Sequence, residues 1–203
     1  MFGNRLDPAE DRMALTTHAR RSPFAVTALA VALSVGLAQV PASGASADPR
    51  HGSRGSTLAL IGDTPYGPDQ AARFPDLRAD IDHDPDVGLV LHAGDVKGGS
   101  ERCDDALFAE RAGFYDAFED PFVLTPGDNE WTDCHRTAAG SYLPTERLEK
   151  MREVFYPDPG RTAGGRELPV RTQARDPEHS AYVENVRFVR DRVVFATVHV
   201  VGS

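Results

Sequence analysis

Four short apolar runs, each bounded by polar residues, set the pattern of the chain after residue 56. Continuous runs of Val, Leu and Ile are typical of strands that are buried on both faces of a sheet. Stretches with helical spacing of apolar residues lie at 69–81 and 106–118, between the first three runs. Alternation of strand and helix predicts β-α-β units and a parallel, layered α/β sheet. The four runs span residues 57–61, 87–91, 122–125 and 193–198.

The later part of the chain predicts a helix, an irregular stretch and a hairpin. A third helix is expected over 144–155, with Pro144 at its start, where the missing N–H costs nothing. Residues 157–176 are rich in Pro, Gly and Arg and predict an exposed loop. Residues 181–189 then predict an edge strand, which turns at 190–192 into the fourth apolar run.

The first 47 residues have the features of a secretory signal. Arg20 and Arg21 precede a short apolar run at 24–38, and small residues follow at 45–47. This order predicts a signal peptide over 1–47, a flexible linker over 48–56 and one domain over 57–203. A buried amino-terminal helix and an uncleaved anchor are the alternatives. The mature protein is expected to be secreted or periplasmic, without a membrane span.

The charge balance narrows the function classes. The chain has 31 acidic and 22 basic residues and a net charge of −9. An acidic chain lacks the basic surface that nucleic-acid binding requires, so no such surface is expected. Its surplus of carboxylates instead suits the binding of hard cations.

Three of the apolar runs end in Gly-Asp, at 62–63, 94–95 and 127–128. Loops after the carboxyl ends of parallel strands converge on one crevice, where the carboxylates Asp63, Asp95 and Asp128 would repel one another without a cation. The fourth run leads to His199, and mixed oxygen and nitrogen ligands suit Mn, Fe or Zn. A turn or helix cap is the alternative role of each Gly-Asp pair.

The order of these motifs, from residue 58 to residue 203, resembles the calcineurin-like metallophosphoesterases. By this resemblance Asp63 binds the first of two metals and Asp95 bridges both. Asp128 takes the place of a family Asn ligand, and His199 is a ligand of the second metal. The resemblance implies a layered α/β sandwich and hydrolysis of a small-molecule or nucleotide phosphoester, with water as the nucleophile.

The sequence departs from the family pattern in three motifs. The family's Asp-x-His is absent, and Tyr66 offers a phenolate instead, although in the purple acid phosphatase branch such a Tyr follows the bridging Asp. Asn129 stands where a substrate-facing His is expected and can donate a hydrogen bond to a phosphoryl oxygen. His135 is a candidate proton donor, or else a solvated loop histidine. The Gly-His-x-His motif is missing, which predicts that the domain is incomplete at its carboxyl terminus.

Two other functions remain as alternatives. A non-catalytic relative with the same fold would bind a partner or serve as a structural module, and the three departures favour it. A nucleotide-binding α/β protein ranks last, because neither G-x-x-x-x-G-K-[ST] nor G-x-G-x-x-G follows the first strand.

A few further residues have two interpretations each. Cys103 and Cys134 follow neighbouring Gly-Asp loops and form either a disulfide, which an exported protein permits, or two free thiols. Lys97 steadies a phosphate or, as we prefer, is a solvated surface lysine. His92 is expected to be a core or supporting histidine. Trp131 either flanks the substrate cleft or packs a loop.

Overall fold

The computed structural model describes residues 57–201, which form two three-stranded β-sheets with three α-helices. The signal peptide predicted at 1–47 and the linker predicted at 48–56 lie outside the described residues. No helix among residues 57–201 is both long and apolar enough to span a membrane.

The first sheet is parallel and has the strand order β1-β2-β3. Helix α1 connects β1 to β2 and helix α2 connects β2 to β3, so the predicted β-α-β units are confirmed. A Pro in the first turn of α1 suits the start of a helix, because proline has no backbone N–H and an N–H at this position would have no partner within the helix. The elements are β1 (Thr57–Ile61), α1 (Gly67–Asp82), β2 (Val87–His92), α2 (Asp105–Asp116) and β3 (Phe122–Leu124).

Burial differs sharply between these strands. Leu89 and Val90 of the central strand β2 are 1% and 0% exposed, as a two-sided buried strand predicts. Leu60 of β1 is 68% exposed, because it points to the face opposite that of Ala59 and Ile61, which pack against the core. The prediction that every apolar run is buried on both faces is therefore wrong for β1.

Aromatic rings form the main core beside the first sheet. Phe74 of α1 and Tyr115 of α2 pack with Phe118 and Phe122, and all four are at most 2% exposed. The rings of Tyr115 and Phe122 stack with centroids 4.5 Å apart. Offset ring pairs of this kind stabilise a core beyond the area they bury. This packing fixes both helices against the sheet and so fixes the loops at its carboxyl edge.

The second sheet is antiparallel and consists of β4 (Arg171–Thr172), β5 (Val186–Arg190) and β6 (Val193–Ala196), in that order. Asp191 and Arg192 form the β5–β6 turn with φ angles of 49° and 67°, the left-handed backbone that tight hairpin turns need. The hairpin is thus confirmed.

Three predictions for this region were wrong in detail. Strand β5 is central and not an edge strand, because β4 pairs with its other side. Residues 157–176 are not an exposed loop throughout, since Val170 and Thr172 are 5% exposed. Strand β6, the fourth apolar run, lies at the sheet edge and is not buried on both faces, since Val194 is 69% exposed.

The third helix, α3 (Pro144–Phe155), has the predicted bounds. It packs on α2 and on a short 3-10 helix, Thr132–His135. The result is a mixed α/β fold with a parallel β-α-β sheet. The layered sandwich and the predicted incompleteness at the carboxyl terminus stay predictions.

Candidate functional site

Two of the predicted aspartates have an unusual backbone conformation. Asp63 and Asp95 follow β1 and β2 with φ angles of 54° and 59°, in the left-handed region that non-glycine residues seldom adopt. The N–H of Asp63 donates to the Gly94 carbonyl at 3.0 Å, so the two loops also bond to each other. Such strain is maintained only where the surrounding structure enforces it, and it concentrates at functional sites.

The glycines of the Gly-Asp motifs allow the loops to approach backbone to backbone. Gly94 has a φ of 90°, and a Cβ added there would collide with the backbone of Gly127. A Cβ added to Gly127 would in turn collide with the backbone and carboxylate of Asp95. Both glycines are therefore required by the close packing of the second and third loops.

Tyr66 and Asn129 complete a polar cluster around the two carboxylates. The Tyr66 hydroxyl lies 2.9 Å from Oδ1 of Asp63 and 3.3 Å from Oδ2 of Asp95. Asn129 donates from Nδ2 to the Tyr66 oxygen at 3.3 Å and from its backbone N–H to Asp95 Oδ1 at 3.4 Å. The hydroxyl has one proton and can donate to only one carboxylate at a time.

The electrostatics of this cluster disfavour additional negative charge. The pKa of Asp95 is raised, mainly by burial and to a smaller extent by the negative charges of Asp128 and Asp63. Burial, and then the hydrogen bond to Asp63, raise the pKa of Tyr66. A cation placed among these groups would reverse both effects, because it stabilises the charged form of each oxygen.

A buried ionisable pair underlies the cluster. Lys97 is fully buried, so the preferred interpretation of a solvated surface lysine is wrong. Its Nζ donates to the Gly98 carbonyl at 3.0 Å, and burial lowers its pKa against the nearby charge of Glu130. Glu130 is also fully buried; its Oε1 accepts from the N–H of Gly127 at 2.6 Å, and burial raises its pKa to about 7. Its Oε2 has no hydrogen-bond partner within residues 57–201.

In the loop after β3, Asp128 makes its hydrogen bonds within residues 57–201 through its backbone and not through its carboxylate. The Asp128 carbonyl accepts from the N–H groups of Trp131 and Asp133, each at 3.1 Å, and so closes the turn into the 3-10 helix. The Asp128 carboxylate acts on Asp95 through its charge. His135, the candidate proton donor, is exposed at the end of that helix and holds the Thr132 carbonyl at 2.6 Å through Nδ1.

His199 approaches from the second sheet, three residues after β6, and not from the parallel one. Its Nδ1 lies 3.0 Å from Oε1 of Glu184, and the indole N–H of Trp131 donates to its Nε2 at 3.1 Å. Arg152 holds the same carboxylate with two hydrogen bonds of 3.0 and 2.6 Å. Both ring nitrogens are thus engaged.

A disulfide joins Cys103 to Cys134, which decides between the two interpretations of the cysteines. Both sulfurs are fully buried beside the Asn129 carbonyl. The bridge ties the loop that follows Asp95 to the loop that follows Asp128. His92, as expected, is a core residue; its Nε2 is 2.9 Å from the Thr64 carbonyl.

The described residues bring together only part of a metal-ligand set. The carboxylates of Asp63 and Asp95 each lie within hydrogen-bond distance of the Tyr66 oxygen, and hard cations prefer such oxygen ligands. No group of three or more His, Cys, Asp or Glu side chains within 57–201 is close enough to hold a metal ion. His199 joins no such group because its partners are Glu184 and Trp131.

The family model of the calcineurin-like phosphoesterases matches residues 56–196 of this chain. The chain belongs to this family. Searches of curated proteins and of solved structures gave no match. The matched range covers all three Gly-Asp loops of the calcineurin-like phosphoesterase domain and ends at the last residue of β6, just before His199.

Some residues of the site escaped the sequence analysis. Glu184 orients His199 from 15 positions earlier and carries no local motif. The burial of Lys97 and Glu130 gives no sequence signal either, since each follows a Gly-Asp motif as a surface residue would. Tyr66 lies between two carboxylates because it is in the turn after β1, three residues after Asp63.

Proposed function

We propose that this calcineurin-like phosphoesterase hydrolyses small-molecule or nucleotide phosphoesters with two bound divalent or trivalent metal ions, Mn, Fe or Zn. The observation that carries the proposal is the convergence of Asp63, Asp95, Tyr66 and Asn129 at the carboxyl edge of the parallel sheet. A family that hydrolyses phosphoesters and a cluster of oxygen donors at this edge support the same chemistry.

Asp63 and Asp95 would hold the first metal. Asp128 and His199 would hold the second. Bound metal lowers the pKa of water and polarises phosphoryl oxygens.

In hydrolysis the water oxygen forms a bond to phosphorus and releases a proton to solvent, the ester P–O bond breaks, and the alcohol leaves with a proton. Asn129 Nδ2 is a donor to a phosphoryl oxygen and, as an amide, transfers no proton. His135 Nε2 is the proposed proton source for the leaving group.

The test is metal content together with hydrolysis of p-nitrophenyl phosphate and its bis ester, in wild type and Asp95→Asn. We expect bound metal and turnover in wild type, with loss of at least about 100-fold in the variant, as for removal of a main electrostatic contributor. Asp80→Asn is the matched control because Asp80 is exposed on α1. Equal activity in Asp95→Asn would contradict the proposal.

The alternative is a non-catalytic module that retains one metal. It is favoured by the finding that residues 57–201 contain no group of three or more close His, Cys, Asp or Glu side chains, and by the engagement of both nitrogens of His199. One bound metal per chain without turnover on either ester would support this alternative.

We also propose that the protein is exported, as the predicted signal peptide implies. The Cys103–Cys134 disulfide supports an oxidising compartment. The mass of the secreted or periplasmic protein tests this, since cleavage after Ala47 fixes the new amino terminus. An uncleaved protein in the cytoplasmic fraction would contradict it.

A further inference from the structure

The partners of His199 determine its protonation state. A carboxylate can only accept a hydrogen bond, so Nδ1 of His199 must donate its proton to Glu184. An indole N–H can only donate, so Nε2 must present its lone pair to Trp131. Only the neutral imidazole with its proton on Nδ1 satisfies both partners.

This is the form in which an imidazole binds a metal. Histidine ligands commonly donate one N–H to a carboxylate, which fixes the ring and raises the basicity of the other nitrogen. Glu184 supplies that carboxylate, and Arg152 in turn fixes Glu184 with two hydrogen bonds. The remaining lone pair on Nε2 points at the Trp131 N–H, where a metal ligand would present it to a cation.

We propose that Trp131 caps the metal-binding nitrogen of His199, and that a metal ion at this position displaces the indole. The inference rests on the proposed function, since it concerns His199 as a metal ligand. Trp131 is on the same loop as Asp128 and Asn129, three and two residues away. Metal binding by Asp128 and movement of the Trp131 indole would therefore be coupled, because only a short stretch of backbone joins the two residues.

The indole is placed to move and to report its movement. Trp131 is half-buried, and its ring meets the His199 ring edge-on with centroids 5.6 Å apart. The His199 side chain is only 6% exposed and Glu184 only 1%, so the imidazole is the fixed member of the pair. Trp131 is the only tryptophan in the chain, so intrinsic tryptophan fluorescence reports on the surroundings of this one indole.

The first experiment is titration of the full chain with Zn²⁺, which does not quench fluorescence paramagnetically. Bound zinc is counted by competition with a chromogenic chelator while Trp131 emission is recorded. We expect saturable binding with a change of emission over the same range. The change should vanish in His199→Gln, which removes the imidazole, even where Asp63 and Asp95 still bind zinc.

The second experiment compares zinc affinity in Trp131→Phe, which keeps a ring but removes the N–H. Loss of one competing hydrogen bond should tighten zinc binding about three- to tenfold. Tyr142→Phe is the matched control, because Tyr142 bonds to Asp104 on the neighbouring loop and not to His199. A gain of similar size in the control would overturn the proposal as a general effect of loosening these loops.

Two other outcomes are informative. Zinc that binds with unchanged Trp131 emission, or with equal affinity in Trp131→Phe, overturns the cap and leaves the proposed function standing. Absence of bound zinc in wild type by the chelator measurement overturns both.

Discussion

The two sides of the candidate centre are held in place by different means. On the carboxylate side, formed by the loops of Asp63, Asp95 and Asp128, the backbone sets the geometry through left-handed residues and closely packed glycines. On the imidazole side, formed by Glu184, His199 and the residues that contact them, side-chain hydrogen bonds set it. The comparison implies that the first side resists side-chain changes but not backbone changes, and that the second does the reverse.

The largest expected effect is that of Gly94→Ala, which attacks the backbone of the carboxylate side. The new Cβ would meet the Gly127 backbone, and a φ of 90° is strained for any residue other than glycine. Strain and overpacking together should lower the free energy of unfolding by about 4–5 kcal/mol, as urea denaturation would measure.

Gly113→Ala is the matched control for that substitution. Gly113 lies inside α2, and a Cβ there meets nothing within 4 Å. Alanine should stabilise this helix by about 0.5–1 kcal/mol. If both substitutions had the same effect, the close approach of the two loops would not govern the carboxylate side.

The next effect tests the covalent tie within the carboxylate side. The Cys103→Ser/Cys134→Ser double variant opens a bridge between residues 31 positions apart. Loss of a cross-link of this span should cost about 3–4 kcal/mol, mainly through the freedom regained by the unfolded chain. Wild type in reducing buffer should lose a similar amount. No loss in either sample would show that the loops hold together without the bridge.

The approach of the first two Gly-Asp loops could be predicted from the sequence, for a physical reason. Gly-Asp after an apolar run is a local signal, because the glycine permits the turn and the aspartate follows it directly. The parallel sheet then brings such loops together wherever the strands pair in order. Asp63 and Asp95 therefore lie together as the motif order implied.

The imidazole side was beyond sequence reasoning because its contacts are long-range. His199 was placed after the fourth run, but its partners Glu184 and Trp131 lie 15 and 68 positions away. The exposure of β1 and β6 was missed for a related reason. An apolar run shows that a strand forms and does not show whether another element covers each of its two faces.

A smaller effect is expected on the pH dependence of stability, through the buried side chain of Glu130. It is measured in protein from which a chelator has removed metal. The pKa of Glu130 is raised from 4.5 to about 7 by burial. Because the pKa is higher in the folded state, the protonated carboxyl stabilises the folded state. This contribution to the free energy of unfolding is full below about pH 4.5 and is lost as the pH rises through about 7.

Glu130→Gln stays neutral and keeps an oxygen for the Gly127 N–H. Relative to wild type it should gain about 2–3 kcal/mol of stability between about pH 5 and about pH 8, as urea denaturation at each pH would measure. A difference between the two proteins that does not change with pH would mean that Glu130 is ionised in the folded state throughout.

The smallest expected effect is that of Glu184→Gln on the imidazole side. Although burial acts to raise it, the hydrogen bonds from His199 and Arg152 hold the pKa of Glu184 below its ordinary value, so the carboxylate is ionised. The amide is of similar size but has only one acceptor oxygen, so it loses at least one of these hydrogen bonds and the charge assistance of the others, which should cost about 1–2 kcal/mol in urea denaturation. The carboxylate side should keep its stability because its backbone is unchanged.

The decisive readout for Glu184→Gln is local, since a small global loss would not separate the two sides. A glutamine can donate to Nδ1 of His199 as well as accept from it, so the ring is no longer held in one tautomer and the lone pair on Nε2 is no longer assured. Trp131 emission should then shift in the metal-free variant, whereas amide exchange of the loops around Asp63 and Asp95 should match that of wild type. Faster exchange in those loops would show that the two sides are mechanically coupled and that side-chain bonds to His199 also support the backbone of the carboxylate side.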